Sequence, residues 1–247
     1  MAIRSLIRER FFPHLWCPGC GHGHVLNAML HSVDDLGYDP SSLVMVSGIG
    51  CSARIAGYVD FHTMHTLHGR ALAFATGIKM SRPDLHVIVP MGDGDALAIG
   101  GNHFIHAARR NIKLTAIVMN NRIYGMTGGQ MSPTTLLGMK TATTPYGRDA
   151  HLNGFPYKIA EMLVHLDGAT YITRQSVHTP ANVRKCKKAI RKAFENSLAG
   201  NGYSMVEVVS TCSSGWKMSP VEANKWLEEN MLPYYPLGDI KCSQLPR

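Results

Sequence analysis

Short runs of apolar and β-branched residues recur along this chain, and between them the apolar positions change to a spacing of three or four. The runs Leu43–Ser47, His86–Met91, Leu114–Met119, Ala169–Thr173 and Ser204–Ser210 read as strands. The intervening pattern predicts helices over His22–Leu36, Gly69–Met80, Ala96–Arg109, Pro156–His165, Ala181–Ala199 and Pro220–Glu229. Such alternation implies an α/β fold, a doubly wound and mostly parallel sheet with helices on both faces. Ligands in that architecture bind beyond the carboxyl ends of the strands. The segments Gly48–Ser52, Gly92–Asp95 and Asn120–Gln130 fall there and carry the informative chemistry.

The chain has 247 residues, enough for one large domain, with no low-complexity tract, linker or internal repeat. A single domain over 1–247 is expected, with 211–247 as a C-terminal arm. Charged residues make up 17 % of the sequence, below the usual ~25 %, which points to a surface covered by another chain. No run approaches the ~18 apolar residues of a membrane span, and no small-residue cleavage site follows the basic N-terminus, so a cytoplasmic location is expected. The net charge of +8 suits acidic partners. Lys and Arg form no stripe interleaved with aromatics, however, so nucleic acid is not expected. The densest basic stretch, Val183–Lys192, reads as the wet face of a helix whose apolar stripe includes Val183, Ile190 and Phe194.

A predicted strand runs directly into Gly92-Asp93-Gly94-Asp95, where a helix begins. Glycines allow close approach to a phosphate, and a helix N-terminus favours negative charge. The next strand ends in Asn120-Asn121, so adjacent parallel strands would bring Asp93 and Asn121 together. A carboxylate and an amide oxygen, with a backbone carbonyl nearby, are the hard ligands Mg²⁺ prefers beside a diphosphate. Without the second strand, GDG alone is read equally well as a tight strand–helix turn.

Without export, the six cysteines are better read as metal or cluster ligands than as disulfides. Cys17-Pro18-Gly19-Cys20 lacks the preceding strand of a redox dithiol and the second close pair of a zinc ribbon. Cys51 and Cys212 each follow a predicted strand, and four thiolates gathered at one sheet edge fit a [4Fe–4S] cluster. Cys186 is read as a small buried apolar residue and Cys242 as an inert thiol. The neighbouring His62, His65 and His68 are read as neutral hydrogen-bonding imidazoles rather than metal ligands.

CPGCGHG, SGIGCSARI, the His68-Gly69-Arg70 segment, GDG and NNRIYGMTGGQ occur here in the same order as in the β subunits of 2-oxoacid:ferredoxin oxidoreductases. The chain resembles that family from about His14 to Gly238, and most closely its 2-oxoglutarate branch, through Thr211–Trp216 and the stretch Trp226–Gly238. The resemblance implies a fold of the thiamine-diphosphate-binding type whose N- and C-terminal segments complete an iron–sulfur site. It implies Asp93, Asn121 and the Ile123 carbonyl on Mg²⁺, and Cys17, Cys20, Cys51 and Cys212 on a [4Fe–4S] cluster. It places Ile49, Gly50, Cys51, Ser52, His68, Gly92, Gly94, Asp95, Gly125, Met126 and Thr127 around thiamine diphosphate. Arg54 would meet the substrate carboxylate, with Met126 lining the opposite wall. Ser213 stands where the family commonly has Pro or Val, which leaves the turn after the fourth cysteine open.

The implied reaction is oxidative decarboxylation of a 2-oxoacid, 2-oxoglutarate first, with coenzyme A, giving succinyl-CoA, carbon dioxide and reduced ferredoxin. No glutamate of the sequence stands in a cofactor motif, so a partner α subunit is expected to supply the one at the pyrimidine ring. Ferredoxin is the default electron acceptor, with another electron-transfer subunit as the alternative. The rivals are pyruvate or a branched-chain 2-oxoacid as substrate, a non-oxidative thiamine-diphosphate decarboxylase or synthase subunit, and a zinc-dependent nucleic-acid-binding module. The four cysteines argue against the second, and the third leaves GDG and NN without a purpose.

Overall fold

The computed structural model describes residues 3–243; residues 1–2 and 244–247, the ends of the expected domain and of its arm, lie outside the described residues. The strands are β1 (Leu43–Ser47), β2 (His62–His65), β3 (His86–Gly92), β4 (Thr115–Asn120), β5 (Ile123–Tyr124), β6 (Gln130–Met131), β7 (Ala169–Ser176), β8 (Tyr203–Val209) and β9 (Gly238–Cys242). One sheet has the order β2-β1-β3-β4-β8-β7-β9, and β5 and β6 form a small antiparallel hairpin. Every pairing in the large sheet is parallel except that of β9 with β7.

Alternation along each strand sends side chains into two separate cores. Ile117 and Met119 of β4 pack on one face with the His22–Asp35 and Pro180–Leu198 helices. Ala116 and Val118 pack on the other, with helices Ala71–Ser81 and Gly101–Arg109. Because both faces are covered, the inner strands are buried along their length, and β1, β3 and β4 are largely apolar. The chain leaves β1 for β2 on one side while β3 lies on the other. The connections therefore part between the carboxyl ends of β1 and β3, the place where such sheets open a crevice.

All five predicted strands are present, with ends shifted by up to three residues at most. The structure adds β2, β9 and the β5–β6 hairpin, which lack an apolar rhythm because β2 and β9 are polar edge strands. The helix expected over Ala96–Arg109 is divided into Asp93–Leu97 and Gly101–Arg109. Gly100 and Gly101 weaken the helix there, and Gly100 lies against the carbonyls of Asp95 and Ala96, where a side chain has no room. The expected Pro156–His165 helix shrinks to Ile159–Leu163, since Tyr157 N–H bonds instead to the Pro133 carbonyl (3.0 Å). The Pro220 helix ends at Trp226 and continues as a wider π turn over Leu227–Met231. Its start follows from a capping box between Ser219 and Glu222 with Pro220 in the first turn.

The lysine-rich helix buries Cys186, Ala189, Ile190, Ala193 and Phe194 and turns Lys185 and Lys188 to solvent, as its amphipathic pattern requires. No helix among the described residues is long and apolar enough to cross a membrane.

A charged network joins β7, β8 and the Ile159–Leu163 helix. Arg174 on β7 is fully buried and donates through Nε to Glu207 on β8 (2.7 Å) and through its terminal nitrogens to Glu161 (2.9 and 2.6 Å). Burial works against its charge, but the two carboxylates outweigh this and hold its pKa above the usual arginine value. Glu207 also accepts from Asn120 Nδ2 (2.7 Å). Arg174→Met is expected to leave the Glu207 carboxylate buried without its cation, a loss of about 3–5 kcal/mol. The thermal midpoint should fall by on the order of 10 °C; an unchanged midpoint would show that Glu207 does not depend on Arg174.

Candidate active site

The loops after β1, β3 and β4 meet around one cavity. It is lined by Ile49, Gly50, Cys51 and Ser52 from the first, Gly92, Asp93, Gly94 and Asp95 from the second, and Asn121, Ile123, Gly125, Met126 and Thr127 from the third, with His68 beside them. Every residue assigned to the cofactor or to Mg²⁺ from the sequence thus faces the same space.

Asp95 fixes the outline. Its buried Oδ1 accepts from Gly69 N–H (2.7 Å), from Ile49 N–H (3.3 Å), and pairs with His68 Nδ1 (2.6 Å). One carboxylate therefore pins the β1 loop and the His68–Gly69 turn to the start of the Asp93–Leu97 helix. Gly94 is packed so closely under the Tyr124 ring that any side chain there would run into it.

Asp93 is buried at the end of β3. Register places Gly92 opposite Met119, so Asp93 begins its helix beside Asn120, the last residue of β4. Asp93 Oδ2 accepts from Ser132 Oγ (2.6 Å) and from Thr134 Oγ1. Burial raises its pKa, and the two hydroxyls, the Arg122 charge and the Gly94 N–H only partly offset that. A carboxylate so desolvated is stabilised by a cation, and the oxygen-rich surroundings suit a hard one.

The other oxygens come from a tight turn. Arg122 has φ +67°, the left-handed region that costs a non-glycine residue on the order of 1 kcal/mol. Its surroundings hold it there: the guanidinium lies 3.2 Å from the Tyr235 ring centroid and donates to the Thr134 carbonyl (3.1 Å), while its own carbonyl accepts from Thr135 Oγ1 (2.5 Å). The turn folds Asn121 Oδ1 back onto Ile123 N–H (3.2 Å).

The cysteines stand on the same wall. A Cβ built on Gly125, which lines the cavity, would lie 3.1 Å from Cys212 Sγ and 4.0 Å from Cys51 Sγ. The Cys17–Cys20 loop is tied to the Cys212 segment by Thr211 Oγ1 donating to the Gly19 carbonyl and Ser213 Oγ to the Pro18 carbonyl, both at 2.6 Å. Ser213, the departure noted in the sequence, is thus a tether. Trp16 Nε1 donates to the Cys51 carbonyl (2.8 Å). Burial pushes Cys20 up to about 12, and nearby Cys212, Cys51 and Cys17 add to the rise. Burial also pushes Cys212 up to about 11, with Cys51 and Cys17 again contributing. A positive centre would release these protons, because thiols bind metals as thiolates. Among the described residues, no group of three or more His, Cys, Asp and Glu side chains is suited to hold a single metal ion.

Arg54 is exposed and does not line the cavity; its charge reaches Cys51 and partly counters the burial that raises that thiol. His65 bonds Ser47 Oγ (3.1 Å) on the edge of the sheet, and His62 is exposed there. Cys186 is buried far along the lysine-rich helix, and Cys242 is exposed on β9. Sequence reasoning passed over His22 and Tyr124, which also line the cavity. It also missed Ser132 and Thr134, the hydroxyls on Asp93. The run Ser132-Pro133-Thr134-Thr135 after the glycine loop was their only signal. His22 is fully buried, and burial lowers its pKa to about 4, so it faces the cavity as a neutral imidazole.

Residues 48–208 match the thiamine pyrophosphate enzyme, C-terminal TPP binding domain family. The chain is 50 % identical to the 2-oxoglutarate synthase subunit KorB of Archaeoglobus fulgidus, over 91 % of this chain and 79 % of that protein. It is 45 % identical to the subunit of the same name from Methanocaldococcus jannaschii, over 99 % and 87 %. Among solved structures it is similar to a 2-oxoglutarate:ferredoxin oxidoreductase from Magnetococcus marinus with 2-oxoglutarate, coenzyme A and succinyl-CoA bound. The TM-score is 0.86 at 33 % identity, covering 100 % of this chain and 86 % of that one.

Proposed function

Because the chain belongs to the family of 2-oxoacid:ferredoxin oxidoreductase β subunits, we propose that it acts in the oxidative decarboxylation of 2-oxoglutarate to succinyl-CoA. The observation that carries this reading is the shared wall: Cys51 and Gly125 line the cavity, and Gly125 lies against the Cys212 and Cys51 thiols.

The residues present fit the groups this reaction needs. Asp93, Asn121 and the Ile123 carbonyl would hold Mg²⁺. Cys17, Cys20, Cys51 and Cys212 would hold a [4Fe–4S] cluster, in which each thiolate bonds a different iron, so the thiols need not converge on one point. Thiamine diphosphate, when bound, supplies the carbon nucleophile for decarboxylation, and the cluster accepts the electrons. The start of the Asp93–Leu97 helix would receive the diphosphate, and His68, braced by Asp95, lines the same cavity. Met126, 44 % exposed, forms an adaptable apolar wall at the cavity mouth. Arg54 is the proposed contact of a substrate carboxylate, reached once a partner closes over the exposed β1 loop.

None of the glutamates among the described residues lines the cavity. The carboxylate at the pyrimidine ring is therefore assigned to a partner α subunit, and the active site to their interface. The electrons are assigned to ferredoxin or another electron-transfer subunit, and the acyl group to coenzyme A. The described residues act as one thiamine-diphosphate domain, with a C-terminal arm from residue 211 that carries Cys212 and ends in β9 at the edge of the sheet.

The test is coenzyme A-dependent reduction of ferredoxin by the anaerobically purified complex. We expect kcat/KM for 2-oxoglutarate to exceed that for pyruvate and 2-oxoisovalerate. Arg54→Ala should lower it by on the order of tenfold, as loss of a charge-assisted hydrogen bond does. Preference for pyruvate would contradict the substrate assignment.

A further inference from the structure

The segment Cys212–Trp216 touches both halves of the site. It begins with a thiol of the four-cysteine set and makes a single helical turn, closed by Trp216 N–H bonding to the Cys212 carbonyl (2.9 Å). It ends in the Trp216 indole, which donates through Nε1 to the backbone carbonyl of Asn121 (3.0 Å). Asn121 lines the cavity along with Asp93, and its Oδ1 accepts from Ile123 N–H (3.2 Å).

Little slack separates the two ends. Gly215 is wedged between the sites: a Cβ there would lie 2.8 Å from Cys212 Sγ and 3.2 Å from Ile123 Cγ2. Trp216 is 8 % exposed, packs on Trp226 with ring centroids 4.8 Å apart, and shares a small core with Ile123, Val209 and Tyr235. The tethers from Thr211 and Ser213 to the Cys17–Cys20 loop fix the other side of Cys212. A shift of the Cys212 thiol therefore moves the turn, and the turn moves the Asn121 carbonyl.

We propose that Trp216 is a positioning residue that couples the state of the four-thiol site to binding of Mg²⁺ and thiamine diphosphate. This rests on the cofactor assignments of the preceding section. Filling the thiol site fixes Cys212, and the indole transmits this to the Asn121–Ile123 turn, so that its oxygens are set for the metal. Linkage requires the effect to be mutual: a bound cofactor favours the loaded thiol site by the same factor.

The test measures thiamine diphosphate affinity at fixed Mg²⁺ by equilibrium dialysis of the native complex, before and after iron is removed with a chelator. In the unaltered protein, removal is expected to weaken binding by roughly tenfold, within the usual range of coupling. In Trp216→Phe, which keeps an aromatic side chain, smaller than the indole, and lacks the N–H donor, the loaded protein should bind the cofactor more weakly. There, removal of iron should change the affinity by less than about twofold. Trp226→Phe alters the same packed cluster without touching Asn121 and should keep the tenfold effect. Equal coupling in Trp216→Phe and the unaltered chain would overturn the proposal, as would loss of coupling in Trp226→Phe or its absence in the unaltered protein. Failure of the cofactor assignments themselves reads differently: the unaltered complex would lack iron or would not bind thiamine diphosphate.

Discussion

Cys51→Ala is expected to strip the complex of iron and acid-labile sulfide and to abolish reduction of the electron acceptor. Cys51 opens the short turn Ser52–Arg54, its carbonyl is held by the Trp16 indole, and its thiol flanks Gly125 opposite Cys212. Burial raises the pKa of this thiol, Cys17 adds to the rise, and Arg54 partly counters it. Such a thiol holds its proton until a metal displaces it. Alanine removes the ligand and little volume, so folding should survive and the loss should be confined to the metal. Cys242, exposed on the edge strand β9, has no other thiol assigned beside it, and Cys242→Ala should retain full iron content and activity. Elemental analysis of the two variants side by side settles the matter; a dispensable Cys51 with an essential Cys242 would overturn the assignment.

The second large effect is expected at Asp93. Loss of a residue merely supporting a metal ligand costs about 10- to 100-fold in affinity, so loss of the ligand itself should weaken Mg²⁺-dependent thiamine diphosphate binding by more than about a hundredfold. The fold should tolerate Asp93→Ala, because burial already disfavours the ionised carboxyl. The hydroxyls it leaves behind keep partners: Ser132 Oγ lies 3.0 Å from Thr134 Oγ1, and Thr134 donates to Asn120 Oδ1 (2.8 Å). Iron should remain bound. Full cofactor occupancy of the variant at low Mg²⁺ would place the metal site elsewhere.

The catalytic edge of the fold was legible because it combines two strong signals. Buried parallel strands print as unbroken apolar runs such as Ala116–Met119, and the polar or glycine residues directly after them mark where ligands sit in such folds. Edge strands leave no such print. His62–His65 is largely exposed at the edge of the sheet, so its sequence carries no apolar period. The broken helix at Gly100 was misread for a related reason: Ala96–Arg109 keeps a helical spacing, and the close approach of Gly100 to the Asp95 carbonyl is a tertiary fact. Residues proposed to touch ligands were picked out through motifs, and those assigned to the cofactor and to Mg²⁺ line one cavity. Residues that hold those in place, such as Ser132, Thr134 and Trp216, act across long sequence separations and became visible only in three dimensions.

The central claim is that one chain brings a thiamine diphosphate site and an iron–sulfur site together on a common wall. The direct measurement is the metal, sulfide and cofactor content of the anaerobically purified complex. About four iron and about four acid-labile sulfide per copy of this chain are expected, with roughly one thiamine diphosphate and one Mg²⁺. Zinc in place of iron and sulfide, or a complex with no thiamine diphosphate, would contradict the account.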